Sequence, residues 1–172
     1  MGTASTMATL SEVLGLSLPG NGAVPAVDSR RTQLAHQSGL RIVQLVEDDL
    51  TPSRLLTPLS FENAIRTLHS LGGSTNAIIH LIAIAQRRGL DLLLESFDRL
   101  SESTPVLLNL KPSGEFLMED FAYAGGGSAL FKELSPLLHL DEMTVTGRTL
   151  GQNIEAARND NPEVVRPLDR PL

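Results

Sequence analysis

The stretch best suited to chemistry is Gly72-Gly73-Ser74-Thr75-Asn76-Ala77, which runs straight into Ile78-Ile79-His80-Leu81-Ile82-Ala83-Ile84-Ala85. Two glycines free the backbone, and three small polar side chains then offer hydroxyl and amide groups where an apolar helix begins. Free amides and the positive end of the helix dipole at such a junction suit a carboxylate or a phosphate. The same pattern also serves as a plain helix start, in which Ser, Thr or Asn caps the first turn and binds nothing.

His80 interrupts the apolar helix that follows, and a histidine there either finds a polar partner in a pocket or is structural. His36, His69 and His139 lie on other segments, and the four show no metal-binding spacing such as His-x-x-x-His. Glu47-Asp48-Asp49 and Glu119-Asp120 are adjacent carboxylates; neighbours on a helix diverge, so they read as solvated faces. No Gly-x-Ser-x-Gly, P-loop or dinucleotide fingerprint is present. No cysteine is present either, which removes disulfides, thiolate zinc sites and iron–sulfur ligation from what these residues can do by themselves.

The elements that must position this junction are mostly helical. Thr3, Ser5 or Thr6 can cap a first helix carrying Met7, Leu10, Val13 and Leu14, which ends at the turn-rich connector 15–25. Asp28 or Ser29 starts a long amphipathic helix. Its spacing places Leu34, Ala35, Ile42, Val43, Val46 and Leu50 inward, and Arg30, Arg31, Gln33, Gln37, Arg41, Glu47 and Asp48 mostly outward. Thr57-Pro58 starts a helix with Phe61, Ala64, Ile65 and Leu68 on its apolar face. The helix from about Ser74 to Arg88 is apolar around more than half its circumference, which predicts a central core helix.

Helices are expected over 92–101, 115–124 and 150–157, and another capped by Ser128 that carries Ala129, Leu130, Leu134 and Leu138. Val106-Leu107-Leu108-Asn109-Leu110 reads as a buried strand, and Thr144–Gly147 as a small strand or turn. From Asn161 onward three prolines suggest the beginning of a linker. So few strands leave two options: a mostly helical fold, or a sheet completed by residues outside this chain.

Composition narrows the function classes. At 172 residues and 41% hydrophobic the chain can bury a real core, and with 3% aromatic residues that core must be aliphatic. Twenty acidic against 14 basic residues give a net charge of −6. Without basic clusters this is a poor nucleic-acid binder. No apolar run approaches the ~20 residues that span a bilayer, and no charged signal-peptide start precedes Arg30. A cytoplasmic protein without membrane or nucleic-acid partners is expected.

Several motifs, in order, carry a resemblance. Met-Gly-Thr-Ala-Ser-Thr-Met at 1–7, Leu-Gly-Leu-Ser-Leu-Pro-Gly at 14–20, Gly-Gly-Ser-Thr-Asn-Ala at 72–77 with His80, Leu-Lys-Pro-Ser-Gly at 110–114, Met-Glu-Asp-Phe at 118–121 and Ala-Gly-Gly at 124–126 resemble the dihydroxy-acid dehydratases and sugar-acid dehydratases, a family that includes 6-phosphogluconate dehydratase.

The resemblance implies an α/β, helix-rich fold with few strands in this segment: the latter part of the family's N-terminal, cluster-bearing iron–sulfur domain over 1–160, with the start of a linker to a missing C-terminal domain at 161–172. It implies a hydro-lyase that removes water from a 2,3-dihydroxy carboxylate, either a sugar acid such as an aldonate or a branched-chain dihydroxy acid, to give a 2-keto acid. An iron–sulfur cluster, a magnesium ion and a homo-oligomeric assembly belong to the intact family enzyme.

The family's cluster cysteines, magnesium ligands and catalytic base fall outside the matched segment. The expectation is therefore that this chain alone binds neither cofactor, contains no catalytic residue and is inactive. Ser74, Thr75, Asn76 and His80 are the substrate-binding candidates, and Thr3 and Ser5 the residues near the cluster. Val106–Leu110 with Phe116–Gly126 looks more like the aldonate enzymes. The alternative is a non-catalytic binding or interaction module derived from the same fold.

Overall fold

The computed structural model describes every residue from Met1 to Leu172. Its helices are α1 (Thr3–Val13), α2 (Ser29–Glu47), α3 (Pro52–Leu55), α4 (Pro58–Ser70), α5 (Asn76–Arg87), α6 (Leu94–Ser101), α7 (Met118–Tyr123), α8 (Gly126–Glu133) and α9 (Leu150–Ile154), with a 3-10 turn at Ser135–Leu137.

The centre of the core is α4, not α5. Thr57 caps α4 through Oγ1, which accepts the Ser60 amide at 3.0 Å, and Ser60 Oγ returns the bond to the Thr57 amide. Pro58 occupies the first turn, where its missing N–H costs nothing. From that start α4 buries Phe61, Ala64, Ile65 and Leu68 together with the polar Asn63, Thr67 and Ser70. It packs against α1, α5 and α6.

By contrast α5 buries only Ala77, Leu81 and Ala85, a single i, i+4 stripe facing α1 and α4. Ile79 is 69% exposed. The expectation of a central helix fails because an apolar circumference reports what a helix could bury, and only one side of α5 meets a neighbour.

The orientation expected for α2 is reversed in part. None of its side chains is buried, and Ala35, Ile42, Val43 and Val46 are exposed, whereas Leu34 and Leu50 are half-buried. Two arginines placed outward by their polarity are what tie α2 to the rest of the molecule. Arg31 donates to the Asn21 carbonyl at 3.1 Å, to Asn21 Oδ1 at 2.6 Å and to the Val24 carbonyl, and Arg41 donates from Nε to the Val145 carbonyl. Loop carbonyls left without helical partners attract a guanidinium more strongly than a valine can.

The helix-rich expectation holds, but these residues form no sheet. Val106–Leu110 is extended and buries Leu107, Leu108 and Leu110. It bonds to the tail, with Asn109 N–H on the Val164 carbonyl at 3.0 Å and Arg166 N–H on the Leu107 carbonyl at 2.7 Å. Only isolated bridges result, Leu108 with Val165, Leu110 with Phe116 and Met143 with Thr149. Val164 and Val165, on the stretch read as a linker, are fully buried in the core.

Two helix starts move. α8 begins at Gly126, so Ser128 sits inside its first turn rather than capping it, and Leu138 follows the separate 3-10 turn. α7 is confined to Met118–Tyr123, where Asp120 accepts the Leu117 amide at 2.7 Å. No helix is long and apolar enough to cross a membrane.

Candidate functional site

The two glycines before Ser74 do different work. Gly72 follows the end of α4 with φ of 56°, the left-handed conformation that closes a helix C-terminus and that a side chain resists. At Gly73 an added Cβ would sit 2.8 Å from both Leu68 Cδ1 and Thr6 Cγ2, so its bareness lets the chain cross tightly over α1. The Ser74 amide then donates to Thr6 Oγ1 at 3.1 Å.

This crossing brings together the two ends of the chain's candidate list. Thr3 Oγ1 lies 3.0 Å from Ser74 Oγ, and Asn76 Nδ2 donates to the same Thr3 oxygen at 3.0 Å. Ser74 Oγ also accepts the Asn76 amide at 3.3 Å. Thr3, Ser74 and Asn76 thus form one polar knot where α1 and α5 begin. Thr75 is exposed and makes no capping bond through its side chain. Ser5 is turned away from the knot and closes the start of α1, where its Oγ accepts the Gly2 amide at 3.0 Å.

His80 is exposed, so the notion of a histidine buried with a partner does not hold. It stands instead on one wall of an open groove between α1 and α5, with Ala83 and Ile84, opposite Thr3, Ala4 and Met7. No base activates the Ser74 or Thr3 hydroxyl, since each bonds to the other and to Asn76 rather than to a histidine or a carboxylate. The arrangement can orient a polar ligand and fix two helix ends; it contains no acid–base pair.

Metal chemistry finds no support in the chain's own donors. There is no cysteine, and nowhere do three His, Asp or Glu side chains gather as a ligand set. The Glu62 carboxylate meets His139 Nε2 at 3.0 Å and Arg99 at 3.8 Å, all at the surface. The residues present offer an iron–sulfur cluster no thiolate ligand.

One buried acid escaped sequence reasoning. Glu12 on α1 is 5% exposed, and its carboxylate accepts the Gly20 amide at 2.9 Å and the Gly22 amide from the connector that follows. Burial pushes its pKa up to about 7, against the opposing pull of the two amides and of Arg31. The available signal was the Gly20-Asn21-Gly22 turn, in which the two glycine amides point at the anion while the Asn21 amide bonds back to the Leu18 carbonyl.

Comparison with known proteins gives a consistent result. Residues 1–153 match the model of the dihydroxy-acid/6-phosphogluconate dehydratase N-terminal family. The chain is 51% identical over 173 residues to a dihydroxy-acid dehydratase of Caldanaerobacter subterraneus subsp. tengcongensis, which covers 99% of this chain. It is 53% identical over 168 residues to an L-arabonate dehydratase of Azospirillum brasilense, covering 96% of this chain. An L-arabinonate dehydratase of Rhizobium leguminosarum bv. trifolii is 51% identical over 164 residues, covering 94%. The chain spans 28% to 31% of the length of these relatives.

Proposed function

We propose, from the premise that the chain belongs to the dihydroxy-acid/6-phosphogluconate dehydratase N-terminal family, that it builds one wall of the site of a hydro-lyase acting on a 2,3-dihydroxy carboxylate. In that reaction the substrate loses the proton on the carbon beside its carboxylate, the hydroxyl on the next carbon leaves as water, and the resulting enol ketonises to a 2-keto acid. The observation that carries the assignment to this region is the knot of Thr3, Ser74 and Asn76, which joins two separate family-like motifs beside an open groove.

In this reading the residues position and do not react. The hydroxyls and the Asn76 amide hold the start of α5 in place, so that Thr75 and His80 present polar groups toward the bound dihydroxy acid. The iron–sulfur cluster and the magnesium ion implied by the family need ligands beyond this residue set, and this chain by itself has no dehydratase activity. The relatives' names include both substrate classes at nearly equal identity. We favour the sugar acid on the likeness of Val106–Leu110 and Phe116–Gly126 to the aldonate enzymes, with a branched-chain dihydroxy acid second.

The test is to supply the purified chain with ferrous iron, sulfide and magnesium, and to assay 2-keto acid formation from 2,3-dihydroxyisovalerate and from a panel of aldonates. No product is expected. Turnover would show that the chain carries its own reactive groups and would overturn this division of labour.

A second reading, a non-catalytic binding module, is favoured by the core of 28 buried hydrophobic residues, which is not wholly aliphatic as composition suggested but includes Phe61, Phe97, Phe121 and Phe131. The two readings part on ligand binding. A module keeps affinity for aldonates, seen as amide chemical-shift changes at Ser74 to His80 in the isolated chain, whereas a wall of a larger site shows none.

A further inference from the structure

Two adjoining cavities lie between α2 and the body of the molecule, one of about 270 Å³ and one of about 460 Å³. Leu16, Ile42, Leu45 and Val145 line both, so the two form one trough. The larger adds Leu50 and Leu55, and its volume and apolar lining are those of a small-molecule site. The trough persists because α2 has no buried side chain; long arginines on loop carbonyls, rather than packed apolar side chains, tie it down. Ile42 lines both cavities and is left 57% exposed.

Arg41 is the one charged residue that lines the smaller cavity. Its Nε donates to the Val145 carbonyl, which holds the guanidinium beside the residues that both cavities share. The other two nitrogens are less firmly engaged. Nη2 is buried without a hydrogen-bond partner, a cost that a new acceptor would relieve. Nη1 bonds Gln44 at 3.0 Å and Asp48 at 3.2 Å, and the Asp48 side chain is 58% exposed against 15% for Arg41. A bridge to so exposed a carboxylate is weak and exchanges readily.

We propose that this trough binds a straight-chain aliphatic carboxylate, with its head on Arg41 and its chain along Leu45, Leu50 and Leu55. The α2 residues that line it run from Ser38 to Asp49, about 16 Å along the helix, which suits a chain of about eight to ten carbons. A partner helix, about 10 Å across, does not fit cavities of this volume.

Charge complementarity selects the anionic head. The ligand carboxylate takes the place of Asp48 on Nη1 and gives Nη2 the acceptor it lacks, a forked pair stronger than the single bond it replaces. Ser17 Oγ accepts Asn21 Nδ2 at 2.7 Å and keeps its own hydrogen for the same head. Asp49 lines the larger cavity and repels an anion there, so the chain occupies that end. An alkylammonium sets a cation against Arg41, and an alcohol lacks the charge to displace Asp48. The trough shares no residue with the groove beside His80, so failure of either site leaves the other standing.

Octanoate, kept below its micelle concentration, is the probe. Chemical shifts of the purified chain should change and saturate at Leu16, Ile42, Leu45, Leu55 and Val145, with a Kd of about 0.1–1 mM, ordinary for a ligand of this size. Asp48→Asn removes the competing carboxylate from an exposed position and should tighten binding about threefold. Arg41→Gln should weaken it at least about tenfold.

Should Arg41→Gln loosen α2, Leu45→Trp supplies the check, since it fills the trough, leaves Arg41 in place and should abolish binding. Octan-1-ol and octylamine should bind at least about tenfold more weakly than octanoate. Shifts that never saturate overturn the proposal, as does octanol or octylamine binding as tightly as octanoate. Binding that survives Leu45→Trp, or an affinity unmoved by Asp48→Asn, overturns it equally.

Discussion

The amide of Gly20 donates to Glu12 Oε2 at 2.9 Å, so a buried carboxylate on α1 holds the connector that leaves α1. The Gly22 amide bonds the other oxygen, and Gly127 at the start of α8 packs so closely that an added Cβ would lie 3.0 Å from Oε2. This acid ties three segments together and titrates near neutrality.

Glu12 should make stability depend on pH. Its pKa in the folded chain is raised from 4.5 to about 7, so folding binds a proton there more tightly than the unfolded chain does. Its contribution is complete below pH 4.5 and is lost as pH rises through about 7. At about 1.4 kcal/mol per tenfold change in proton affinity, the loss is about 3 kcal/mol. His69 works the other way, because burial lowers its pKa and its contribution is lost as pH falls. The stability difference between the native chain and Glu12→Gln isolates the acid. Urea denaturation at pH 5 and pH 8 should show that difference shifting against the native chain by about 3 kcal/mol. A flat difference would mean that the two amides fully compensate the buried charge.

The glycines at 73 and 39 should respond oppositely to alanine. Gly73→Ala brings a Cβ to within 2.8 Å of Leu68 Cδ1 and Thr6 Cγ2, two buried side chains that must shift, and should cost about 1–3 kcal/mol. Gly39→Ala adds a Cβ into open space within α2 and should stabilise the chain by about 0.5–1 kcal/mol. Thermal melts of dilute samples check both signs.

Asn63 should be hard to replace. Buried on α4, it donates to the His139 carbonyl at 2.9 Å and accepts the His139 amide at 2.8 Å, which pins the segment after α8 to the core helix. Asn63→Leu leaves both backbone groups of His139 without those partners. The expected loss is about 2–4 kcal/mol in chemical denaturation, larger than for any single surface pair.

What sequence made legible was local. Thr57-Pro58 marks the start of α4 because cap and proline act on the next turn alone, and Gly72-Gly73 marks its end for the same reason. Polarity was a poor guide wherever a side chain reaches far. Arg41 looked like a solvent-facing residue, yet its guanidinium seeks a carbonyl at Val145 that periodicity cannot see. Glu12 is a lone acid on a helix, ordinarily solvated, and only the fold brings the Gly20 and Gly22 amides back onto it. For α5 the apolar circumference was read correctly, but how many neighbours would surround it was not in those residues. In the site, Ser74 and Asn76 were legible as a helix start; that Thr3 joins them depends on the crossing at Gly73.

The knot itself can be tested apart from any ligand. Thr3 Oγ1 meets both Ser74 Oγ and Asn76 Nδ2 at 3.0 Å, so one oxygen links the starts of α1 and α5. Thr3→Val keeps the shape and removes both bonds. Thr3→Ser keeps the hydroxyl and loses a methyl. Because the site is partly exposed, water replaces lost partners, and Thr3→Val should cost only about 1 kcal/mol while Thr3→Ser costs less. A double-mutant cycle of Thr3→Val with Asn76→Ala should give a coupling of about 0.5–1 kcal/mol. Hydrogen exchange supplies the sharper readout: the Ser74 amide, bonded to Thr6, and the first amides of α5 should exchange faster in Thr3→Val while those of α4 stay protected. Strictly additive effects with unchanged exchange at Ser74 would mean that α1 and α5 are held together by their apolar contacts alone, and that the polar knot has no part in shaping the wall.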